Sequence, residues 1–320
     1  MTHPPTRRSL LALAAAVALG PRRVAASTSP KALQIVVPAP PGSQPDLLAR
    51  WLVEPMARVA GVPGTVSNRP GAAGAIAADA VLAAPLEAGA LLLGGLDHVA
   101  YVHLQNNRRP LDPFVEFVPV GTVNRDSWLV VVGPGGPEAL SKLADAARRA
   151  GGLHYASGGE GSTAHLLAAR LCRALAVDAV HVPYRDPWLP DLVAGRVQLA
   201  VAPTPAVLGA VRGGQLRALA TLSPERLAVA AGVPTVAELG HPGLAFQGGL
   251  FLFAPAGLAA LAPRLNGWLR EAMADPEVAR RYHDAGIDPA PLELEAAHTA
   301  VRGRLREVDA MRLAVFGRAR

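Results

Sequence analysis

The sequence predicts an α/β fold of two lobes joined by two extended crossings. Apolar strand-like segments alternate with amphipathic helical segments along most of the chain, which is the pattern of parallel sheets covered by helices. The 320 residues are enough for two domains of ordinary size. Extended segments near residues 118–132 and 244–254 interrupt the alternation. Two strands that cross between lobes form a hinge, so we expect the lobes to move relative to each other.

The first 26 residues have the features of an export signal. Arg7 and Arg8 supply positive charge, residues 10–19 form a short apolar segment, and residues 24–26 suit a small-residue cleavage site. We therefore expect the mature chain to begin near Ser27. The paired arginines also suit the twin-arginine export route, although ordinary Sec export stays open.

The net charge gives no sign of a nucleic-acid partner. Residues 1–26 hold four arginines and no acidic residue, so removing them lowers the formal charge of +6 by four, to +2. The mature chain also has no basic runs interleaved with aromatic residues, which a nucleic-acid surface requires. We therefore expect no nucleic-acid partner.

The first alternating region predicts a parallel sheet with two covering helices. The predicted elements are, in order, a strand at 35–37, a helix at 47–59, a turn at 66–71, a helix at 72–84 and a strand at 90–93. Gly61 is a suitable stop for the first helix. Pro55 lies inside that helix, so the sequence predicts either a kink or an earlier end there.

The second alternating region repeats this pattern after the crossing near residue 125. It predicts helices at 140–150, 164–175 and 189–194, and strands at 153–157, 179–183 and 198–202. A further strand-like segment at 246–255 closes the region, and arginine-rich helices finish the chain.

Two corners of the chain share one design, in which a strand and a loop of small residues lead into a helix. They lie at residues 36–50 and 155–167. The start of a helix carries unpaired backbone N–H groups and the positive end of the dipole, so each corner suits an anion. Asp46 is most simply an N-cap or a dipole partner. Ser162 and Thr163 either cap their helix or turn to a bound carboxylate, and both readings stay open.

Motifs for catalysis and metal binding are absent from the sequence. The glycine-rich segment 158–163 lacks the Gly-Lys-Ser/Thr ending of a phosphate loop, and the histidines show no metal-ligand spacing. Cys172 is the single cysteine, in an apolar helical pattern, which predicts a buried thiol and excludes an internal disulfide. We expect neither an enzyme nor a cofactor or metal, although a Ser/His pair assembled by folding stays open.

The motifs resemble those of the Bug-type solute-binding receptors of tripartite tricarboxylate transporters. The resemblance covers residues 35–291, and the order of the pieces makes it specific. The matching segments are V-P-x-P-P-G-x-x-x-D at 37–46, N-R-P-G-A-x-G at 68–74, Y-A-S-x-G-x-G at 155–161 with His165, V-H-V-P-Y at 180–184, V-P-T-V-A-E at 233–238 and L-F-A-P-A-G at 252–257.

This resemblance implies a type II, Venus-flytrap periplasmic binding protein. It would be a monomer that closes without a cofactor on a small carboxylate-bearing solute and passes it to membrane transporter subunits. We expect lobe 1 to comprise residues 27–124 and 246–320, and lobe 2 residues 125–245. A receptor that signals to a sensor protein and, less favoured, a secreted α/β hydrolase remain alternatives.

The resemblance places the solute between the two helix-start corners. The residues predicted to contact it are Pro41, Gly42, Ser43, Gln44, Asp46, Asp97, His98, Glu160, Gly161, Ser162, Thr163, His165, Tyr184, Asp186 and Trp188. Trp188 follows Asp186 in a loop and is a candidate for the pocket wall, whereas His165 is otherwise a structural histidine. Asp97 and Asp186 depart from the family pattern, and an extra carboxylate would favour an amine or hydroxyl donor on the solute. Otherwise both are solvated or paired with Arg185.

Overall fold

The computed structural model of the protein describes residues 30–100, 111–184 and 187–317. Two five-stranded sheets form its framework. In the first, the strand order is β2-β1-β3-β11-β4, and β11 runs antiparallel to both of its neighbours while β1 pairs in parallel with β2 and β3. These strands are β1 (Leu33–Val37), β2 (Gly64–Asn68), β3 (Ala90–Gly94), β4 (Phe117–Thr122) and β11 (Phe251–Pro255).

The second sheet has the strand order β10-β6-β9-β7-β8. Here β7 pairs in parallel with β8 and β9, and β6 runs antiparallel to β9 and β10. Its strands are β6 (Trp128–Val132), β7 (Leu153–Ser157), β8 (Ala179–Pro183), β9 (Leu199–Pro203) and β10 (Arg217–Thr221). A short third sheet pairs β5 (Asn124–Arg125) with β12 (Asp288–Pro289).

Helices cover the sheets. They are α1 (Gln44–Ala60), α2 (Ala75–Ala83), α3 (Leu143–Ala150), α4 (Thr163–Ala174), α5 (Leu189–Val193), α6 (Thr204–Arg212), α7 (Ala262–Ala274), α8 (Pro276–Asp284) and α9 (Leu294–Phe316). The buried face of α1 includes Leu48, Leu52 and Met56, which join one apolar cluster with strand residues such as Ile35. Among the described residues, the structure contains no helix that is both long and apolar enough to cross a membrane.

The first helix begins earlier than the sequence predicts. It starts at Gln44, three residues before the predicted start, because Pro45 is tolerated in the first turn, where its missing N–H would have no acceptor. The helix continues past Pro55 and ends at Gly61, whose φ of 72° is the left-handed conformation that suits glycine.

Two chain segments cross between the sheets and pair with each other. The first leads from β4 to β6, and the second leads from residue 244 to β11. At their meeting point, the N–H of Asp126 donates to the carbonyl oxygen of Gly248 at 3.1 Å, and the N–H of Gly248 donates back at 3.2 Å. Strand β11 begins at Phe251, so the segment before it is an extended connection and the predicted strand at 246–255 is too long.

The C-terminal helix α9 is a third connection between the sheets. His298, near its start, lies 2.8 Å from the carbonyl oxygen of Pro119 in β4. Near its end, Arg173 of α4 donates to the carbonyl oxygen of Ala314 at 2.9 Å, and Phe316 packs edge-on against the ring of His165 at 5.4 Å. The helix therefore packs against both sides of the cleft.

Candidate functional site

A cavity of 620 Å³ lies in the cleft between the two large sheets. Its walls include segments that follow the carboxyl ends of strands β1, β3 and β9, together with the start of α4 after β7. Ligands of open α/β sheets bind at this edge, and the volume suits a small molecule. The crossing segments and the middle of α9 complete the wall.

The first wall is the start of α1, where Gly42, Ser43 and Gln44 line the cavity. Asp46 holds this loop in place. Its Oδ2 accepts from the N–H of Gly42 at 2.8 Å and from Nε of Arg50 at 3.0 Å. Its Oδ1 accepts from Nδ2 of Asn68 at 2.9 Å, so the carboxylate is saturated by the protein.

Asp46 is ionised in spite of its burial. Its side chain is almost fully enclosed, and burial disfavours the charged form. The hydrogen bonds from Arg50, the Gly42 N–H and Asn68 outweigh burial and lower the pKa of Asp46 below its ordinary value. Asp46 therefore shapes the loop and is not among the residues that line the cavity.

The second wall follows β3, where Asp97 and His98 line the cavity. The N–H of Gly95 donates to Nδ1 of His98 at 3.1 Å. A ring nitrogen that accepts carries no proton, so the neutral imidazole of His98 has its proton on Nε2. Oδ1 of Asp97 lies 3.6 Å from Nδ1 of His98. This wall thus places one carboxylate and one imidazole in the cavity.

The third wall is the start of α4, where the two hydroxyls have different roles. Oγ of Ser162 accepts from the N–H of His165 at 3.3 Å and donates to the carbonyl oxygen of Gly159 at 2.8 Å, which makes Ser162 the helix cap. Thr163 lines the cavity. Because the cap takes the N–H of His165, the N–H groups of Thr163 and Ala164 remain without an acceptor from the helix itself.

His165 packs behind this wall. Its Nδ1 accepts from the N–H of Gly161 at 3.0 Å, and its ring stacks on His181 at 3.7 Å between centroids. Burial, with a smaller effect from His181, lowers the pKa of His165 to about 4, and burial also lowers the pKa of His181. The two rings are therefore neutral at neutral pH and shape the glycine-rich loop.

A Ser/His pair does form, but away from the cavity. Oγ of Ser157 lies 2.7 Å from Nε2 of His181. The same hydroxyl donates to the carbonyl oxygen of Gly159 at 3.0 Å, so its single proton is already used and His181 is the donor. Ser157 is buried and does not line the cavity. This arrangement has the form of a structural hydrogen bond and lacks an activated nucleophile.

Several residues predicted to bind lie elsewhere. Tyr184 donates through its hydroxyl to Oδ2 of Asp191 at 2.7 Å, and Trp188 packs with an apolar cluster of the second sheet. Asp186 lies outside the described residues. The predicted residues that line the cavity are Gly42, Ser43, Gln44, Asp97, His98 and Thr163, and the described ones that do not are Pro41, Asp46, Glu160, Gly161, Ser162, His165, Tyr184 and Trp188.

Three polar residues of the cavity were missed by the sequence analysis, namely Asp126, Trp128 and Arg304. The sequence predicts only a crossing strand for the segment that holds Asp126 and Trp128, and only an arginine-rich helix for the segment that holds Arg304. An aspartate in an apolar extended segment is the signal that could have singled out Asp126. Arg304 gives no such signal, because only the packing of α9 carries it to the cleft.

Asp126 is a buried carboxylate with partners on one oxygen. Its Oδ1 accepts from Nδ2 of Asn124 at 2.6 Å and from Nε2 of Gln44 at 3.2 Å. Burial raises the pKa of Asp126 to about 6, and the negative charge of Asp97 adds to the rise, while Asn124, Gln44 and Arg304 act in the opposite direction.

Arg304 reaches the cavity from α9. Its guanidinium lies 4.5 Å from the ring centroid of Phe246, and its Nη1 lies 2.5 Å from Oε2 of Glu307. Burial lowers the pKa of Arg304, against the opposing effects of Glu307 and Asp126. Glu307 in the same helix therefore offsets part of the charge of this arginine, which still acts on Asp126.

A second cavity of 700 Å³ adjoins the first, and Gln44 and Asp126 line both. Three of its charged residues are already paired, since Arg125 pairs with Asp288 at 2.7 Å and Arg226 pairs with Glu238 at 2.9 Å. Glu225 and His283 also line it. In the part of the chain that the structure describes, no three His, Cys, Asp or Glu side chains are grouped to hold a metal ion.

Comparison with known proteins identifies relatives along most of the chain. A model of the tripartite tricarboxylate transporter family receptor matches residues 48–302. Protein BugT of Bordetella pertussis is 32% identical over 277 residues, which are 83% of this chain and 84% of BugT.

Solved structures resemble the chain over nearly their whole length. MatC from Rhodopseudomonas palustris, solved with bound malate, has a TM-score of 0.74 and 29% identity, and the match covers 87% of this chain and 98% of MatC. The periplasmic binding protein BugD has a TM-score of 0.75 and 23% identity, with 89% of this chain and 98% of BugD covered. The likeness to BugD confirms the predicted two-lobed α/β fold.

Proposed function

Because the chain belongs to the receptor family of tripartite tricarboxylate transporters, we propose that it captures a small carboxylate-bearing solute in the cleft between its sheets. Family membership carries this proposal, and the predicted Bug-type receptor is thereby confirmed. The cleft cavity supplies a place for the solute, since the starts of α1 and α4 face it from different sheets.

We propose that the lobes divide as the two sheets do. We assign residues 27–124 and 246–320 to lobe 1 and residues 125–245 to lobe 2. Strands β1 to β4 and β11 belong to one sheet and β6 to β10 to the other, which supports this division. The crossings at Asp126 and Gly248 then act as the hinge on which the lobes close.

Backbone and side-chain donors around the cavity support a carboxylate. The N–H groups of Thr163 and Ala164 at the start of α4, and that of Gln44 at the start of α1, have no acceptor within their helices. His98 adds Nε2 as a donor, because its Nδ1 accepts from the N–H of Gly95. We propose that these groups hold one carboxylate when the lobes close. The contacts predicted at Pro41, Glu160, Gly161 and Asp186 then contribute less to binding.

The relatives of the chain support a periplasmic location. BugD is a periplasmic binding protein, and we propose that this chain is likewise exported to the periplasm and delivers its solute to membrane transporter subunits. Binding would be stoichiometric and without turnover. The family does not favour the signalling receptor or the hydrolase, and the Ser157 hydroxyl is committed to Gly159.

A thermal-shift screen of the purified protein tests this proposal. Mono-, di- and tricarboxylates and amino acids are added singly, and a compound at about a hundred times its Kd stabilises the folded state by roughly 2.7 kcal/mol. We expect a selective rise in Tm, and calorimetry should then give one site per chain with no product formed.

A matched pair of variants locates the site. Ala206 lines the cavity at the start of α6, whereas Gly209 in the same helix is exposed with open space around it. Ala206→Trp should abolish the rise in Tm, and Gly209→Trp should retain it. No response to any carboxylate, or equal binding by both variants, contradicts the proposal.

A further inference from the structure

The polar walls of the cavity carry more negative than positive charge. Its charged side chains are Asp97, Asp126 and Arg304. Glu307 beside Arg304 offsets part of its charge, and Arg304 is in any case one cation against two carboxylates. Two carboxylates therefore remain to face a bound solute. A solute with carboxylates alone would add negative charge to a site that is already negative.

Asp126 is positioned to accept a hydrogen bond from the solute. Its side chain is 93% buried, since only 7% is exposed. Both of its side-chain hydrogen bonds, from Asn124 and Gln44, end on Oδ1. No described residue donates to Oδ2, so this oxygen remains as an acceptor at the wall shared by the two cavities.

Trp128 supplies an independent observation beside it. Its side chain is also 93% buried and lines the cavity, and its Nε1 is buried without a hydrogen-bond partner among the described residues. Side chains two residues apart on an extended segment point to the same face, so Asp126 and Trp128 present an acceptor and a donor side by side. A buried N–H without a partner indicates a missing acceptor.

Gly248 keeps this position open. A Cβ atom on Gly248 would lie 2.8 Å from Nε1 of Trp128 and 3.3 Å from Cβ of Asp126. Any larger residue would therefore press against both residues, and glycine avoids that contact.

We propose that Asp126, assisted by Asp97, binds an ammonium group of the solute while Nε1 of Trp128 donates to an oxygen of the same molecule. The solute is then an amino-carboxylate, such as an amino acid, and Asp126 is the residue that selects it over a simple carboxylic acid. This inference rests on the proposed function and names the solute class for the same cleft.

The test compares acids that differ only in an amino group. Calorimetric titration at neutral pH measures the Kd of aspartate against succinate and of 2-aminoadipate against adipate. A hydrogen bond to a charged group changes affinity by about 10- to 100-fold. We expect the amino compound of at least one pair to bind tighter by that factor.

Two variants separate recognition from bulk charge. Asp126→Asn keeps an oxygen for Asn124 and Gln44 but removes the charge, so it should remove the preference for the amino compound and leave the amine-free acid bound as tightly or more tightly. Asp145→Asn removes the same charge from exposed α3, where Asp145 pairs with Arg148, and should keep the preference. Circular dichroism checks that both variants fold.

The outcomes distinguish this inference from the function on which it rests. In one outcome an amine-free acid binds tightly, and Asp126→Asn does not change the ratio of its Kd to that of the amino compound. This outcome overturns the ammonium site and retains the carboxylate receptor. Failure of every acid and amino acid to bind overturns both. An amino preference that disappears in Asp126→Asn and persists in Asp145→Asn supports both.

Discussion

At the scale of single residues, buried carboxylates with opposite shifts in pKa have different roles. Asp46 receives hydrogen bonds on both oxygens, and these lower its pKa in spite of burial. Asp126 has partners on one oxygen only and lies near Asp97, and burial raises its pKa to about 6. A saturated carboxylate holds a loop in place, whereas an unsaturated one remains able to bind a solute.

The raised pKa of Asp126 predicts a pH-dependent effect of Asp126→Asn on stability. In the folded state the Asp126 carboxyl keeps its proton up to about pH 6, whereas in the unfolded state it keeps it only to about pH 3.9. The stability that this proton contributes is therefore present at low pH and lost as pH rises through about 6. Asp126→Asn should therefore raise the free energy of unfolding at pH 8 by about 1–3 kcal/mol, and by much less at pH 4.

Urea denaturation of both proteins at the two pH values measures this difference. Asp145→Asn is again the control, because its exposed carboxylate should give a small and similar change at both values. A gain in stability that is equal at pH 4 and pH 8 would mean that burial of the Asp126 charge is not its cause.

At the scale of elements, the two crossing segments approach each other so closely that only glycine fits at one position. A Cβ atom on Gly249 would lie 2.5 Å from the carbonyl oxygen of Asn124. The N–H of Leu250 donates to Oδ1 of Asn124 at 3.0 Å, and the N–H of Val123 donates to the carbonyl oxygen of Leu250 at 2.8 Å. The two crossings, which we propose as the hinge, therefore consist of paired backbone with little room for side chains.

This packing predicts opposite effects for two glycine-to-alanine substitutions. Gly249→Ala should lower the free energy of unfolding by about 1–3 kcal/mol, because the backbone of the crossing must shift. Gly267→Ala should raise it by up to about 1 kcal/mol, since Gly267 lies inside helix α7 with open space around it. Denaturant unfolding measures both changes, and effects of the same sign would refute the close approach.

At the scale of the whole molecule, three connections join the two sheets. Two are the paired crossings at Asp126 and Gly248, and the third is helix α9, which packs against β4 and α4. Because Arg304 of α9 lines the cavity, a solute there contacts both sheets and their connections together. The closure proposed above would thus involve all three connections.

This arrangement predicts that the solute makes the molecule more compact. Small-angle X-ray scattering should give a smaller radius of gyration when the compound selected by the thermal screen is saturating. The Ala206→Trp variant, whose cavity is filled, should show no change on addition of the same compound. An unchanged radius in the unmodified protein would mean that it binds without closing.

Much of the fold and part of the site could be predicted from the sequence alone. Strands β7 and β8 begin and end at the predicted residues, because apolar runs between turn residues depend on local pattern. The starts of α1 and α4 could be located because glycine-rich loops before amphipathic helices mark them. Gly42 and Thr163 accordingly line the cavity.

Only the tertiary structure decided which side chains share the cleft. Asp126 and Arg304 are 178 positions apart and meet there because the crossing and α9 pack against the same cavity. The roles of adjacent hydroxyls were decided in the same way, since Ser162 turns to its own helix and Thr163 to the cleft. Sequence periodicity sets which residues form a strand or helix, but contacts between distant segments depend on how those elements pack.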